Sequence, residues 1–375
     1  MRRHGHREAG PALPVTRRKR RLGRARGPLA GDAHRRAPRE GQTVTMRALL
    51  VLAVFLSSAP DASVDLPPGL SSFLEKGQWD GTPKAFRAIA LSHLADGCAQ
   101  QGEAEPLKRE SAQACVKRTL ELALATQKGR PAAVPDALWL THVNLILGAG
   151  DRVGPCLDEA LHEALSRKLA AMSVHDGHAH APSYASLPLR WPADQSATLA
   201  SLGRFDAAHG AALLAAPLSE WTRVIDKKGM NAKYGLPVSE VTGQGPGASL
   251  PRGCAQSFIS RYLAEVDAPR SAEWWAAYRE GFLTRVAGLP GFREWPRGVE
   301  RKADADSGPI LLGVGAAASA FGISAARAQG DAALAVQLES AADLVLSTGV
   351  GGAPAATVLA QAIRFQARTQ PRLVP

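Results

Sequence analysis

The chain has 375 residues, 45% of them hydrophobic and 5% aromatic, enough for a sizeable core in one large domain or two ordinary ones. Its net charge of +11 would suit nucleic acid or an anionic membrane, but residues 1–45 hold thirteen Lys and Arg against three Asp and Glu and so carry +10 of it. The remainder is close to neutral, which excludes a broad basic binding face on the folded part.

Residues 1–45 are rich in Arg, Gly and Pro and nearly free of large apolar side chains. They cannot bury enough surface to offset the entropy of ordering, so disorder is expected. Two readings exist for "TRRKRRLGRARG": a nucleic-acid or targeting patch, or an over-long start preceding the better one at Met46. The second is favoured. From Met46 a single Arg, an apolar run over Ala48–Leu56 and the small residues Ser57, Ser58 and Ala59 have the layout of a secretory signal peptide, taken as residues 46–62. The run is too short to span a bilayer. A periplasmic or secreted protein is expected, with residues 63–375 as one domain.

Export permits disulfides. Of the four cysteines, Cys98 falls late in one expected helix and Cys115 early in the next, so a short turn between antiparallel neighbours would bring them together. Cys156 and Cys254 are read as separate thiols. No C-x-x-C occurs, so a zinc ribbon or thioredoxin-type site is not supported.

Helical periodicity predicts helices near 83–100, 109–127, 135–149, 155–171, 193–208, 211–227, 252–265, 271–286, 309–328, 331–347 and 354–368. Period-2 runs are nearly absent. Two kinds of helix take turns along the chain. "ALWLTHVNLILGAG", "GCAQSFIS" and the uncharged stretch from Gly308 to Ala326 are apolar all round. "CLDEALHEALSRKLA", "SAEWWAAYREGFLTRV" and "DAALAVQLESAADLV" are amphipathic. A helix apolar all round must be buried, and an amphipathic one covers it. Their alternation implies two concentric layers, an all-α (α/α)6 toroid, although six hairpins need twelve helices and one is missing from the count. The Gly/Ala/Ser content of residues 308–326 suits close packing in an inner ring better than a membrane span.

In a toroid the loops leading into the inner helices line one mouth. The polar residues at those places are His142, Asn144, Tyr184, Trp191, Asp194, Arg252, Cys254, Arg293, Glu294, Asp304 and Asp306. Asp194 follows Pro192, and Asp306 precedes Ser307-Gly308-Pro309; both look like helix starts. A helix N-terminus favours a carboxylate, so both acids are expected to stay ionised and to serve as base, nucleophile or cation ligand, or simply as caps. Asp194, Glu294, Asp304 and Asp306 are the candidate catalytic acids, with His142 and Tyr184 for proton transfer or positioning. Asn144, Trp191, Arg252, Cys254 and Arg293 are candidate substrate contacts. Cys254 at a helix start could be a nucleophile, but an inert buried thiol is the favoured reading. "VHDGHAHAP", with His175, Asp176, His178 and His180, fits no familiar metal spacing, and neither metal nor cofactor is expected. "GVGAAA" follows no strand and is not a dinucleotide fingerprint. Trp139, Trp191, Trp274, Trp275 and Trp295 are wall residues before they are a sugar platform.

The segments "THVNLILGAG", "SYASLPLRWPADQSATLASL", "PRGCAQSFISRYLAEVDAP" and "FREWPRGVERKADADSGPILLGVGAAASAFGISAARAQGD", in that order within about residues 135–330, resemble the linalool dehydratase/isomerase-like domain family of bacterial exported or membrane-associated proteins. Gln195 stands where the resemblance leads one to expect Asn. The resemblance implies an (α/α)6 toroid with a pocket at its mouth, without implying terpene chemistry. The expected function is carboxylate acid–base catalysis on a small molecule or glycan, as a lyase/isomerase or a carbohydrate-active hydrolase. The alternative is a non-catalytic envelope protein that binds a glycan, lipid or partner. No nucleic acid is expected on the folded part, and no stable membrane span in the mature chain.

Overall fold

The computed structural model describes residues 61–127, 130–175, 177–241, 249–348 and 357–371. The expectations for residues 1–45 and for the signal segment up to residue 60 lie outside them. Among the described residues twelve α-helices follow one another: α1 (Pro68–Lys76), α2 (Arg87–Ala104), α3 (Arg109–Ala125), α4 (Ala137–Val153), α5 (Glu159–Val174), α6 (Pro192–His209), α7 (Ala215–Val224), α8 (Gly253–Leu263), α9 (Ala268–Phe282), α10 (Ala316–Ala328), α11 (Ala332–Thr348) and α12 (Val358–Thr369). The even-numbered helices pack side by side in order, and α12 returns against α2, which closes a ring of six. The odd-numbered helices lie outside: α3 and α5 each bridge the two inner helices that flank them in sequence, and α11 packs on α10 and reaches α12 through the Arg364–Asp343 and Arg368–Glu339 ion pairs. The protein is an (α/α)6 toroid.

Composition decides the layer. In α4, fifteen of seventeen residues are buried; in α5, only five of sixteen. Small residues bring the inner helices close. A methyl group on Gly97 of α2 would stand 2.4 Å from the Phe365 ring of α12, so the helix pair that closes the ring needs a glycine there. Cys98 and Cys115 are joined by a disulfide that clips α2 to α3, as the sequence suggested. Among the described residues no helix is long and apolar enough to cross a membrane.

All six inner helices run the same way, so their two ends differ. Links from an inner to an outer helix are three to five residues long, such as 105–108 and 264–267. Links into inner helices are longer and include residues 175–191, 225–252 and 283–315. The long links gather at the N-terminal ends of the inner helices and form the mouth. The opposite end is sealed by buried charges. Asp96 accepts from both terminal guanidinium nitrogens of Arg204, at 2.6 and 3.0 Å, and Arg204 also donates to Glu265 at 2.9 and 3.0 Å. Arg261 pairs with Glu265 and lies 3.5 Å from Asp96. Between the ends, the axis is filled by His93, His142, Phe258, Tyr262 and Phe321.

Three expectations need correction. The helix α1 went unseen. The expected helix 309–328 begins only at Ala316, and residues 310–315 form a hairpin of β5 (Ile310–Leu311) and β6 (Val314–Gly315). The expected helix 271–286 ends at Phe282 and runs into a second hairpin, β3 (Leu283–Val286) with β4 (Leu289–Phe292). Each hairpin turns through two residues at positive φ, Ala287-Gly288 and Leu312-Gly313, the backbone of a type I′ turn. A further short pair, β1 (Met230–Asn231) with β2 (Leu236–Pro237), lies in the link before α8.

Candidate functional site

The mouth is built from loops that satisfy the free N–H groups of the inner helices. Ala137 N and Leu138 N, at the start of α4, donate to the carbonyls of Pro182 and Ser183. Asp136 accepts from Ala185 N at 2.8 Å, and Gln195 of α6 accepts from Ala181 N at 2.8 Å. These bonds fix Ser183 and Tyr184 over the first turn of α6, where Pro192 starts the helix and Asp194 follows. Ser183 donates its hydroxyl to Asp194 Oδ2 at 2.5 Å.

Asp194 is not the ionised cap that its helix position suggests. Burial pushes its carboxyl up to about 6, the Ser183 hydrogen bond opposes this, and the charge of Asp306 adds to it. Tyr184 lies among the same acids: burial, then the charges of Asp194, Asp306 and Asp136, push its phenol up to about 12. Trp191, the residue before α6, meets Tyr184 edge to face at 5.9 Å. Asp194, Tyr184, Trp191 and Asp306 therefore share one side of the mouth.

The other side is a knot around Arg252, the residue preceding α8. Its Nε donates to Glu294 Oε1 at 2.8 Å, and one terminal nitrogen donates to Asp304 Oδ1 at 2.7 Å. Asp306 Oδ2 lies 3.7 Å from the other. The guanidinium stacks on Trp295, whose ring also carries Arg301. Glu294 is fully buried and accepts from the Cys254 thiol at 3.1 Å and the Cys254 amide at 3.2 Å. Burial, and then the Glu294 charge, push the Cys254 thiol well above its usual range, so it is held as a thiol. Glu294 is itself raised by burial, against the pull of Arg252.

The two hairpins place Glu294. The residue after β4, Arg293, bridges to Val314 of β6, and Glu294 N donates to Gly313 O while Gly253 N donates to Glu294 O. Gly253 permits this approach, because a methyl group there would sit 2.0 Å from the Arg293 carbonyl. Arg293 turns away from Glu294: its guanidinium packs on Gly313 and donates to Trp295 O at 3.3 Å.

The remaining expected residues lie elsewhere. Asp304 and Asp306 are in a turn well before α10 rather than at its start; Asp304 Oδ1 accepts from Asp306 N and Ser307 N. His142 is deep in the ring, with Nδ1 2.7 Å from Ser92 Oγ, and burial pulls its pKa down to about 3. Asn144 spends its amide on the walls, donating to Ser201 and accepting from Ser166. Asn144 is fully buried, away from any ligand at the mouth. His180 accepts from the Trp221 indole at 3.1 Å and its Nδ1 lies 2.7 Å from His178 O, while Asp176 lies outside the described residues. Trp274 and Trp275 are buried in the wall. Sequence reasoning passed over Ser183 and Arg301. Ser183 had no signal of its own, since its importance comes from the loop docking onto α4.

Beside the knot lies a cleft of about 300 Å³, lined by Glu240, Arg252, Trp295, Arg301, Lys302 and Asp304 among others. Of the four candidate acids, Glu294 and Asp304 are taken up by Arg252. Among the described residues Asp194 has one hydroxyl partner, and Asp306 makes only a long contact with Arg252. A protonatable acid within electrostatic reach of a second carboxylate can deliver and withdraw protons from a polar substrate. No family model matches the chain, and no curated protein matches it in sequence. Among solved structures it is similar to the crystal structure of a family 76 glycoside hydrolase from a bovine Bacteroides thetaiotaomicron strain, at 9% identity over 74% of this chain and 67% of that one, with a TM-score of 0.47. A likeness at that level carries no argument about chemistry.

Proposed function

We propose that this protein is an exported (α/α)6-toroid enzyme that acts by carboxylate acid–base chemistry at the mouth of its ring, on a glycan or similar hydroxylated substrate. The carrying observation is Asp194, a buried acid bonded to Ser183 and raised to about 6, within electrostatic reach of Asp306 and Tyr184. In this reading Asp194 protonates a departing oxygen, and Asp306 takes a proton from water or from the substrate. Tyr184 orients the substrate between them. Arg252, Glu294 and Cys254 form a rigid wall, and the thiol has no nucleophilic part because its proton is held against Glu294.

A hydrolase of carbohydrates fits this better than a dehydratase or isomerase of an apolar substrate, because the mouth is lined by charged and polar groups such as Arg252, Asp304 and Asp306. Kinship with the linalool dehydratase/isomerase-like family remains part of the proposal for residues 135–330, as does a single domain over 63–375. Periplasmic or secreted location is supported by the Cys98–Cys115 bridge, which needs an oxidising compartment.

A second reading, a non-catalytic glycan- or partner-binding protein, is favoured by the filled axis and by the ion pairs that occupy Glu294 and Asp304. Turnover assays on a panel of glycans and terpenoids separate the two. Catalysis by the pair predicts that Asp194→Asn and Asp306→Asn each lose at least about 10²-fold in kcat/KM with no loss of Tm. Ligand binding without turnover, unchanged in both variants, would establish the second reading instead.

A further inference from the structure

At the sealed end of the ring, four side chains from three helices and one turn converge. Asp151 lies in the last turn of α4 and Cys156 in the short link after it. His162 comes from α5, and His209 ends α6. One potential ligand atom from each lies within 4.8 Å of all the others. Asp151 Oδ2 is 3.1 Å from His162 Nδ1 and 3.0 Å from His209 Nε2. His162 is fully buried, yet among the described residues neither of its ring nitrogens makes a well-formed hydrogen bond, and neither does Asp151 Oδ1. A buried imidazole and carboxylate left this way are costly unless something else binds them.

We propose that Asp151, Cys156, His162 and His209 form a structural zinc site. Two imidazoles, a thiolate and a carboxylate are a borderline-soft donor set that suits Zn²⁺. Tetrahedral zinc with bonds of about 2.0–2.3 Å spaces its ligand atoms roughly 3.3–3.8 Å apart, so the widest separations need to shorten by about 1 Å at most while the two Asp151–histidine distances open slightly. All four positions are filled by protein, which marks a structural rather than a catalytic ion. Asp194 and His209 stand fifteen residues apart on α6, about 22 Å at 1.5 Å per residue, so the metal is remote from the mouth. The Phe205 ring packs against both histidines, 4.8 Å from His162 and 4.6 Å from His209, and supplies the dry wall such sites use.

Without metal, burial and then the Asp151 carboxylate push the Cys156 thiol up to about 11. Binding a divalent cation releases that proton to solvent and leaves the thiolate on the metal, so affinity rises with pH. An ion there would pin two inner helices and one outer helix together. It would also keep Cys156 from oxidation in the compartment that forms the Cys98–Cys115 bridge.

The test is a Co²⁺ titration of the chelator-stripped full-length protein, read by visible and near-ultraviolet absorption. The expected result is one equivalent bound, with intense tetrahedral d–d bands and a thiolate-to-cobalt charge-transfer band. Cys156→Ser should remove the charge-transfer band alone. His209→Gln, at a partly exposed ligand, should weaken binding at least 10-fold while leaving the metal-free Tm unchanged. One equivalent of Zn²⁺ should raise the wild-type Tm by several degrees and leave that of His209→Gln in place. Asp194→Asn should bind Co²⁺ as the wild type does. A weak six-coordinate spectrum, or a charge-transfer band that survives Cys156→Ser, would overturn the proposal and leave the cluster as a hydrogen-bonded knot.

Discussion

Asp194 and Asp306 can be distinguished by pH. If Asp194 donates a proton, kcat/KM falls on the alkaline side of about pH 6, where its carboxyl ionises. Ser183 holds that pKa down through its hydrogen bond, so Ser183→Ala should move the alkaline limb to higher pH; a limb that stays put assigns it to another group. Stability carries the same signature with a definite sign. An acid whose folded pKa lies above its unfolded value of about 3.9 costs nothing below pH 4 and destabilises as pH rises through 6. Asp194→Asn should therefore gain about 2 kcal/mol on the wild type between pH 4 and pH 7, measured by urea unfolding at both. The protonation state was not legible in the sequence. Pro192 before Asp194 announces a helix start and hence an ionised cap, and only the docked loop at residues 181–185 creates the burial that reverses it.

At the scale of elements, apolar periodicity located eleven helices because each carries a long buried face. It missed α1, whose nine residues "PGLSSFLEK" bury only Leu70 and Phe73. It also carried α10 backward through "PILLGVGAAA", since an apolar run with glycines looks the same for a buried helix as for a hairpin, and Leu312 at positive φ is an unusual choice for a type I′ turn. That hairpin matters because it sets Glu294 against Cys254. Gly253→Ala should break the arrangement. The added methyl meets a carbonyl rather than a flexible side chain, so the cost should be about 3 kcal/mol or more in denaturant unfolding, with loss of any activity that depends on Arg252. The Cys98–Cys115 clip closes a loop of seventeen residues; replacing both with serine should cost about 3 kcal/mol, and a cost near zero would mean that the unfolded chain is already constrained.

For the whole molecule, the alternation of buried and covering helices was enough to give the ring, because a layer is a matter of average burial. The charges that seal its far end were not legible, since Asp96 and Arg204 lie on two helices and Glu265 in a link, all far apart in sequence. Burial pushes Asp96 up, and Arg204, Arg152 and Arg261 together outweigh it and hold it below its usual range. Arg204→Met would leave Arg261 as the one cation shared by Asp96 and Glu265, and should cost about 3–5 kcal/mol, almost unchanged by added salt at so dry a site. A loss that fades in high salt would mean that water reaches the network.

The seam between α2 and α12 sets the order of assembly. A strip of the first inner helix stays uncovered until the final one has been synthesised, so a nascent chain on the ribosome has no finished wall to collapse onto. If the chain is exported as proposed, a ring that cannot close before its last helix exists would stay open to passage through a translocation pore and lock only on the far side.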